Sequence, residues 1–157
     1  MTLVIYFFAA TIATAGFSLM FNAPRRTMLA ASIGGGLSYV VYEAILGANP
    51  QNFILAGFLS AFLVGIIGEI LARRYQTPAT IFILPGLIPL VPGAGMYYAM
   101  SALIEQDYGL FARTSVETFF IAASLSLGVV SSAVFSRSLT RFKFYQSPTR
   151  KEPPQGH

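Results

Sequence analysis

Five long apolar stretches, each about as long as a bilayer is thick, restrict this chain to very few folds: residues 2–21, 28–47, 53–72, 79–104 and 114–135. A helix crosses the hydrocarbon core with about 20 apolar residues. In lipid a backbone must also satisfy its own hydrogen bonds, which a helix does within one segment. The reading is an all-α integral membrane protein with five transmembrane helices, the fourth broken by a Pro/Gly segment. Composition closes off the soluble alternative. Only 10% of the 157 residues are charged, where a soluble domain carries about 25%. A domain this small exposes too much surface for 16 charged side chains to keep wet. Residues 1–136 are read as the five-helix domain and 137–157 as a cytoplasmic polar tail, which leaves no room for a soluble domain.

The connectors test the helix count. Arg25 and Arg26 lie between the first two runs, Arg73 and Arg74 between the third and fourth, and Arg137, Arg141, Lys143, Arg150 and Lys151 after the fifth. Nine of the ten cations thus fall on alternate connectors. Because Lys and Arg in short loops accumulate on the cytoplasmic side, the amino terminus is expected outside and the carboxyl terminus in the cytoplasm. A four-helix count would strand one arginine pair outside. The first run lacks a basic flank and exceeds the usual apolar length of a secretory signal, so it counts as a helix. The basic tail sets topology and anchors the chain at the interface, with Phe142, Phe144 and Tyr145 at headgroup level; attraction to anionic lipid is the secondary reading.

The chain has no cysteine, and its one histidine is His157. Disulfide frameworks, thiolate zinc sites and Cys or His acid–base chemistry therefore have nothing to work with inside the bilayer. Neither a zincin nor a nucleophile-elbow pattern is present, so no enzyme, no metal and no cofactor are expected. The net charge of +4 does not point to nucleic acid, because the cations are scattered in pairs and build no continuous basic face.

Small residues line two of the runs. Gly57, Ala61, Gly65, Gly68 and Ala72 form one ridge, and Ser124, Gly128 and Ser132 another. Such ridges let helices approach closely in lipid, within this chain or from another one. The fourth run is different: Pro85, Pro89 and Pro92 are interleaved with Gly86, Gly93 and Gly95. Each proline in a helix interior costs about 3 kcal/mol, so three exclude a continuous helix. Non-helical backbone at that depth is tolerated only where protein buries it or a wet cavity receives it. Secondary transporters build midplane substrate sites on such half-helices, with amino-terminal amides facing an anionic group. A second half-helix is expected from Gly93 or Gly95 onward through Tyr97, Tyr98 and Ser101. Pro89, Pro92, Gly93, Gly95 and Tyr97 are therefore the candidate substrate-binding residues. The plainer alternative is a kinked packing helix or a hinge.

Charged groups inside a membrane are functional candidates by default. Glu69 precedes Arg73 by one helical turn and suits a local ion pair. Glu117 follows Arg113 at the same spacing, which suits an interfacial pair, yet it also shares a polar stripe with Ser124, Gly128 and Ser131. Glu43 has no cation within a turn and continues the stripe Ser32, Gly36, Tyr39. Glu43, and after it Glu117, are the candidates for proton coupling, against the alternative of snorkelling into the interface.

The stretch PGLIPLVPGAGMYYAM, with Asn22, Pro24 and Arg26 at the end of the first run and Ser32-Ile33-Gly34-Gly35-Gly36 in the second, resembles the short membrane subunit of the threonine/serine exporter family. Its most specific part is Ile88, Pro89, Pro92, Gly93 and Tyr97, and the likeness extends over residues 10 to 140 or so. The resemblance implies a small subunit of a two-component secondary exporter in the bacterial plasma (inner) membrane. It further implies efflux driven by the proton-motive force and a separately encoded larger membrane subunit as partner. Threonine or serine would be the substrate, or a dicarboxylate such as succinate, which related two-subunit systems are associated with. It places Asn22 and Arg26 as possible substrate contacts at the cytoplasmic mouth, where setting topology is their plainer role. The alternative function is a non-transporting module that stabilises or anchors a partner membrane protein; it leaves the triple-proline segment without a purpose.

Overall fold

A computed structural model describes residues 2–145, with side chains through Ser138. The expectations placed on Arg141, Lys143, Phe142, Phe144 and Tyr145 as side chains, and on Arg150 and Lys151, fall outside what is described. The elements are α1 (Thr2–Met20), α2 (Arg25–Ala48), α3 (Phe53–Tyr75), α4 (Thr80–Leu87), α5 (Gly93–Ile104) and α6 (Tyr108–Tyr145). Four helices are long and apolar enough to cross a membrane singly, and the bent pair of α4 and α5 makes a fifth span when taken together. The chain is thus a multi-pass helical membrane protein with its break where the prolines are.

Local chemistry sets the ends. α1 stops where Asn22 adopts a left-handed φ of 53°, a conformation asparagine tolerates, and the Ala23 amide returns to the Ser18 carbonyl at 2.9 Å. α3 stops the same way at Gln76, φ 53°, with Pro78 just beyond. α6 begins at Tyr108 rather than near Thr114, because the Asp107 carboxylate accepts the Leu110 amide at 3.0 Å and caps the first turn. At its far end α6 continues as helix past Arg137 to Tyr145, so the first part of the expected polar tail prolongs the last span.

The two small-residue ridges pack against each other. A Cβ on Gly57 would strike the Ser124 hydroxyl, and one on Gly65 would strike Ser132. A Cβ on Gly128 would come within 2.5 Å of the Phe58 carbonyl oxygen. Both sets of numbers increase together, so α3 and α6 run parallel, seam to seam. Gly68 instead faces Ile83 of α4. α4 also approaches α2 closely: a Cβ on Gly86 would lie 3.6 Å from the Gly35 Cα. The ridges are therefore used within the chain.

The interior is built from small and mid-sized groups, with Ala61, Val64, Leu90 and Leu125 at its centre and Tyr39, Tyr42, Ile83, Leu87, Ile121 and Val129 around them. Most buried hydroxyls bond to their own helix, since lipid offers no water; those of Ser18 and Thr77 find no partner among the described residues. Thr14 donates to the Ala10 carbonyl at 2.8 Å, Ser38 to Gly34 at 2.9 Å and Ser60 to Ala56 at 2.6 Å. Large apolar side chains such as Ile12 and Leu29 point outward, as a lipid-facing surface requires.

Candidate functional site

The break in the fourth span follows from its prolines. Proline disfavours helical backbone in the residue before it, and Val91, preceding Pro92, is extended with φ −61° and ψ 129°. Ile88–Leu90 form a single 3-10 turn, and Pro92 carries φ −76° and ψ 58° before α5 resumes at Gly93. The Gly93 amide turns back to the Val91 carbonyl at 2.7 Å and the Met96 amide to Pro92 at 3.2 Å. Among the described backbone bonds this leaves the amides of Ala94 and Gly95 without an acceptor, as the first turn of a helix must. The two halves meet at 45°.

That bend has a geometric result. α4 lies against α1, α2 and α3, whereas α5 leans away from them and packs on α6. Each half thereby abandons one side of the bundle, and a cavity opens on each. On the α6 side a cavity of about 450 Å³ is lined by Leu87, Val91, Pro92, Met96, Leu125 and Val129 among others, and is almost wholly apolar. On the α1–α2 side a cavity of about 360 Å³ is lined by Tyr6, Ala9, Ala10, Ala13, Tyr39 and Pro89.

The residues singled out in the sequence therefore do not gather at one point. Pro89 lines the α1–α2 cavity and Pro92 the α6 cavity. Gly93 is open to its surroundings, but a Cβ on Gly95 would strike the Thr118 hydroxyl, so Gly95 serves the α5–α6 contact. Tyr97 is 69% exposed and packs edge-on against Tyr98 at 5.6 Å, lining neither cavity. Asn22 sits in the α1–α2 turn and Arg26 in the first turn of α2, both exposed at the arginine-bearing end.

The carboxylates separate by setting. Glu117 forms an exposed ion pair with Arg113 at 3.1 Å. Glu69 and Arg73 are joined through α6: Arg73 Nη2 donates to the Ser136 hydroxyl at 2.7 Å and to its carbonyl at 3.0 Å, while that hydroxyl lies 3.4 Å from Glu69 Oε2. Glu43 lies half-buried, within electrostatic reach of Tyr39 and Tyr42. The stripe Ser32, Gly36, Tyr39 faces α1, with Gly36 against Thr11 and Phe7, and Tyr39 against Tyr6. Tyr6 was not legible as a site residue, because its place depends on how α1 crosses α2; the tyrosine on the opposing stripe was the available signal.

A multi-span helical membrane protein whose one broken span opens cavities beside the break is built like the discontinuous-helix halves of membrane transporters. Residues 6–135 match the family described as Threonine/Serine exporter, ThrE. The chain belongs to that family. Among curated proteins it is similar to an uncharacterized protein of Haemophilus influenzae, 29% identical over 140 residues, a span covering 87% of this chain and 46% of the relative. The chain thus spans about half the length of that relative. No solved structure matches it.

Proposed function

We propose that this chain is the small subunit of a two-component secondary exporter for small amino acids, threonine and serine, driven by the proton-motive force and working with a larger membrane subunit of the same family. The observation that carries the reading is the 45° break at Ile88–Gly93 inside a chain of the threonine/serine exporter family. A transporter commonly needs two such repeats around a midplane site, and one broken span among five fits one half of that arrangement. The chain lies with its amino terminus outside and its carboxyl terminus in the cytoplasm, on the alternation of cations between connectors.

In this reading the cavities beside the break form this half's share of the pathway. Pro89 and Pro92 line one each, and Glu43 stands one helical turn beyond Tyr39, which lines the α1–α2 cavity. The test is efflux of labelled threonine, serine and succinate from cells lacking this chain, its partner, or both. Loss of threonine and serine efflux in each single deletion is the expected result. Undiminished efflux without this chain refutes the transport role, and full efflux from this chain reconstituted alone refutes the division of labour. Efflux of succinate in place of the amino acids would shift the substrate to a dicarboxylate.

A further inference from the structure

The two halves of the broken span are held very differently. α4 is embedded: Phe82, Pro85 and Gly86 are buried on it, and Leu90 just beyond it sits in the core with Ala61, Val64 and Leu125. α5 buries only Ala99 and Ala102 of its 12 residues. Among the described residues it packs on α6, and no side-chain hydrogen bond or ion pair joins it to another helix. Its contact with α6 is made by small groups, Gly95 against Thr118, while Met96, Tyr97, Tyr98 and Met100 stay exposed. A segment with few buried contacts and no polar tie belongs to the least stable part of a fold.

The joint between the halves leaves α5 free to turn. Pro89 and Pro92 have no amide to donate across it. The Val91 and Gly93 amides bond inside it, to the Ile88 carbonyl at 3.1 Å and the Val91 carbonyl at 2.7 Å, and among the described residues no backbone bond ties α5 to α4. A Cβ on Gly93 would meet nothing within 4 Å. There is room on both sides, since the α1–α2 cavity reaches the joint at Pro89 and the α6 cavity reaches it at Val91 and Pro92.

We propose that α5 is a hinged gate. It turns about Val91–Gly93 between the seat on α6 described above and a second seat in line with α4, where it covers the cavity lined by Tyr6, Tyr39 and Pro89. The inference rests on the transport reading above and deepens it by naming the moving part. Because α4 packs on α1, α2 and α3, straightening the span carries α5 off α6 and toward α1 and α2. The 12 residues of α5 make about 18 Å of helix, so closing the 45° bend moves its far end by about 14 Å. The α3–α6 seam, with Gly57 on Ser124 and Gly128 on the Phe58 carbonyl, is the fixed frame. Packed interfaces of this kind switch between discrete arrangements and do not deform continuously.

The native chain has no cysteine, so thiols can be placed at will. A Cβ on Gly95 would stand 3.4 Å from the Thr118 Cβ, and one on Gly57 3.5 Å from the Ser124 Cβ, close to the Cβ spacing of a disulfide, about 3.8 Å. Gly95→Cys with Thr118→Cys therefore pins α5 to α6, and Gly57→Cys with Ser124→Cys staples the fixed seam. Each pair is oxidised in the whole system, this chain with its larger subunit, and bond formation is read by mass spectrometry. Threonine efflux is expected to fall at least tenfold in the pinned chain and to return on reduction, and to stay within about twofold in the stapled one. Independently of transport, spin labels on Ile5→Cys and Ile104→Cys, both exposed, read the distance from α1 to the far end of α5 in the same complex. Two populations of distance are expected.

A single distance overturns the gate. So does undiminished efflux with the 95–118 bond fully formed, or equal loss from both disulfides. Where the pinned chain fails to insert, the label pair decides alone. Two distances in a complex that moves no threonine keep the gate and sink the transport reading.

Discussion

Gly128→Ala measures the seam between α3 and α6 directly. An added Cβ would stand 2.5 Å from the Phe58 carbonyl oxygen, 2.9 Å from the Ala61 Cβ and 3.0 Å from the Phe62 amide nitrogen. Two of those three neighbours are backbone and cannot rotate away. A carbon and a carbonyl oxygen settle at about 3.3 Å or more, so the helices must part by roughly 0.8 Å. A gap of that size forfeits about a quarter to a half of the dispersion attraction of the contacts it opens, and overpacking of this kind costs about 1–3 kcal/mol. Alanine also favours helix over glycine by up to about 1 kcal/mol, which would mask part of the loss. Gly16→Ala supplies that term alone, since a Cβ on Gly16 meets nothing within 4 Å. The difference between the two variants isolates the contact at about 1–3 kcal/mol, roughly a five- to 150-fold change in the unfolding equilibrium. Reversible unfolding in mixed micelles, followed by helix content, reads it. Equal stabilities within about 0.5 kcal/mol would refute the tight seam.

Three further expectations follow from the same geometry. Ser136→Ala removes the hydroxyl between Arg73 and Glu69 and is expected to lower stability by about 1 kcal/mol in that assay; an unchanged midpoint would show that the backbone contact to Arg73 suffices. Gly93→Leu enters open space whereas Gly95→Leu collides with Thr118, so the first should reach normal membrane abundance and the second should not. Abolished efflux in abundant Gly93→Leu would place substrate at the break, and equal abundance of the two variants would refute the α5–α6 contact. Reporter fusions after His157 and beside Asp107 should read cytoplasmic and external respectively, and a shared side would refute the proposed topology.

Hydropathy and proline placement made the spans and the break legible, because lipid imposes length and proline removes a donor wherever it stands. The start of α6 was misplaced for a local reason: Asp107 reads as loop charge in a hydropathy scan, yet it is a capping residue. The site was legible only in part. Tyr39 and Pro89 stood out by chemistry and line one cavity, with Glu43 one helical turn beyond Tyr39. Gly95 and Tyr97 belonged to the same motif, but a motif does not tell which face of a half-helix each residue takes, and the 45° bend turns both away from that cavity. Tyr6 was lost because no pattern within α1 reveals the partner it meets across the α1–α2 pair.

The parallel seam also sets an order on biosynthesis. Gly57 and Gly65 of α3 are filled by Ser124 and Ser132, residues that leave the ribosome long after α3 has entered the membrane. At about 5–20 residues per second, the 67 residues added after Gly57 up to and including Ser124 take roughly 3–13 s to synthesise. For that interval the glycine furrow is a vacancy in a half-built bundle, covered only by acyl chains or by whatever insertion factor stands beside it. A nascent chain arrested after α5 would carry a furrow with no α6 to fill it.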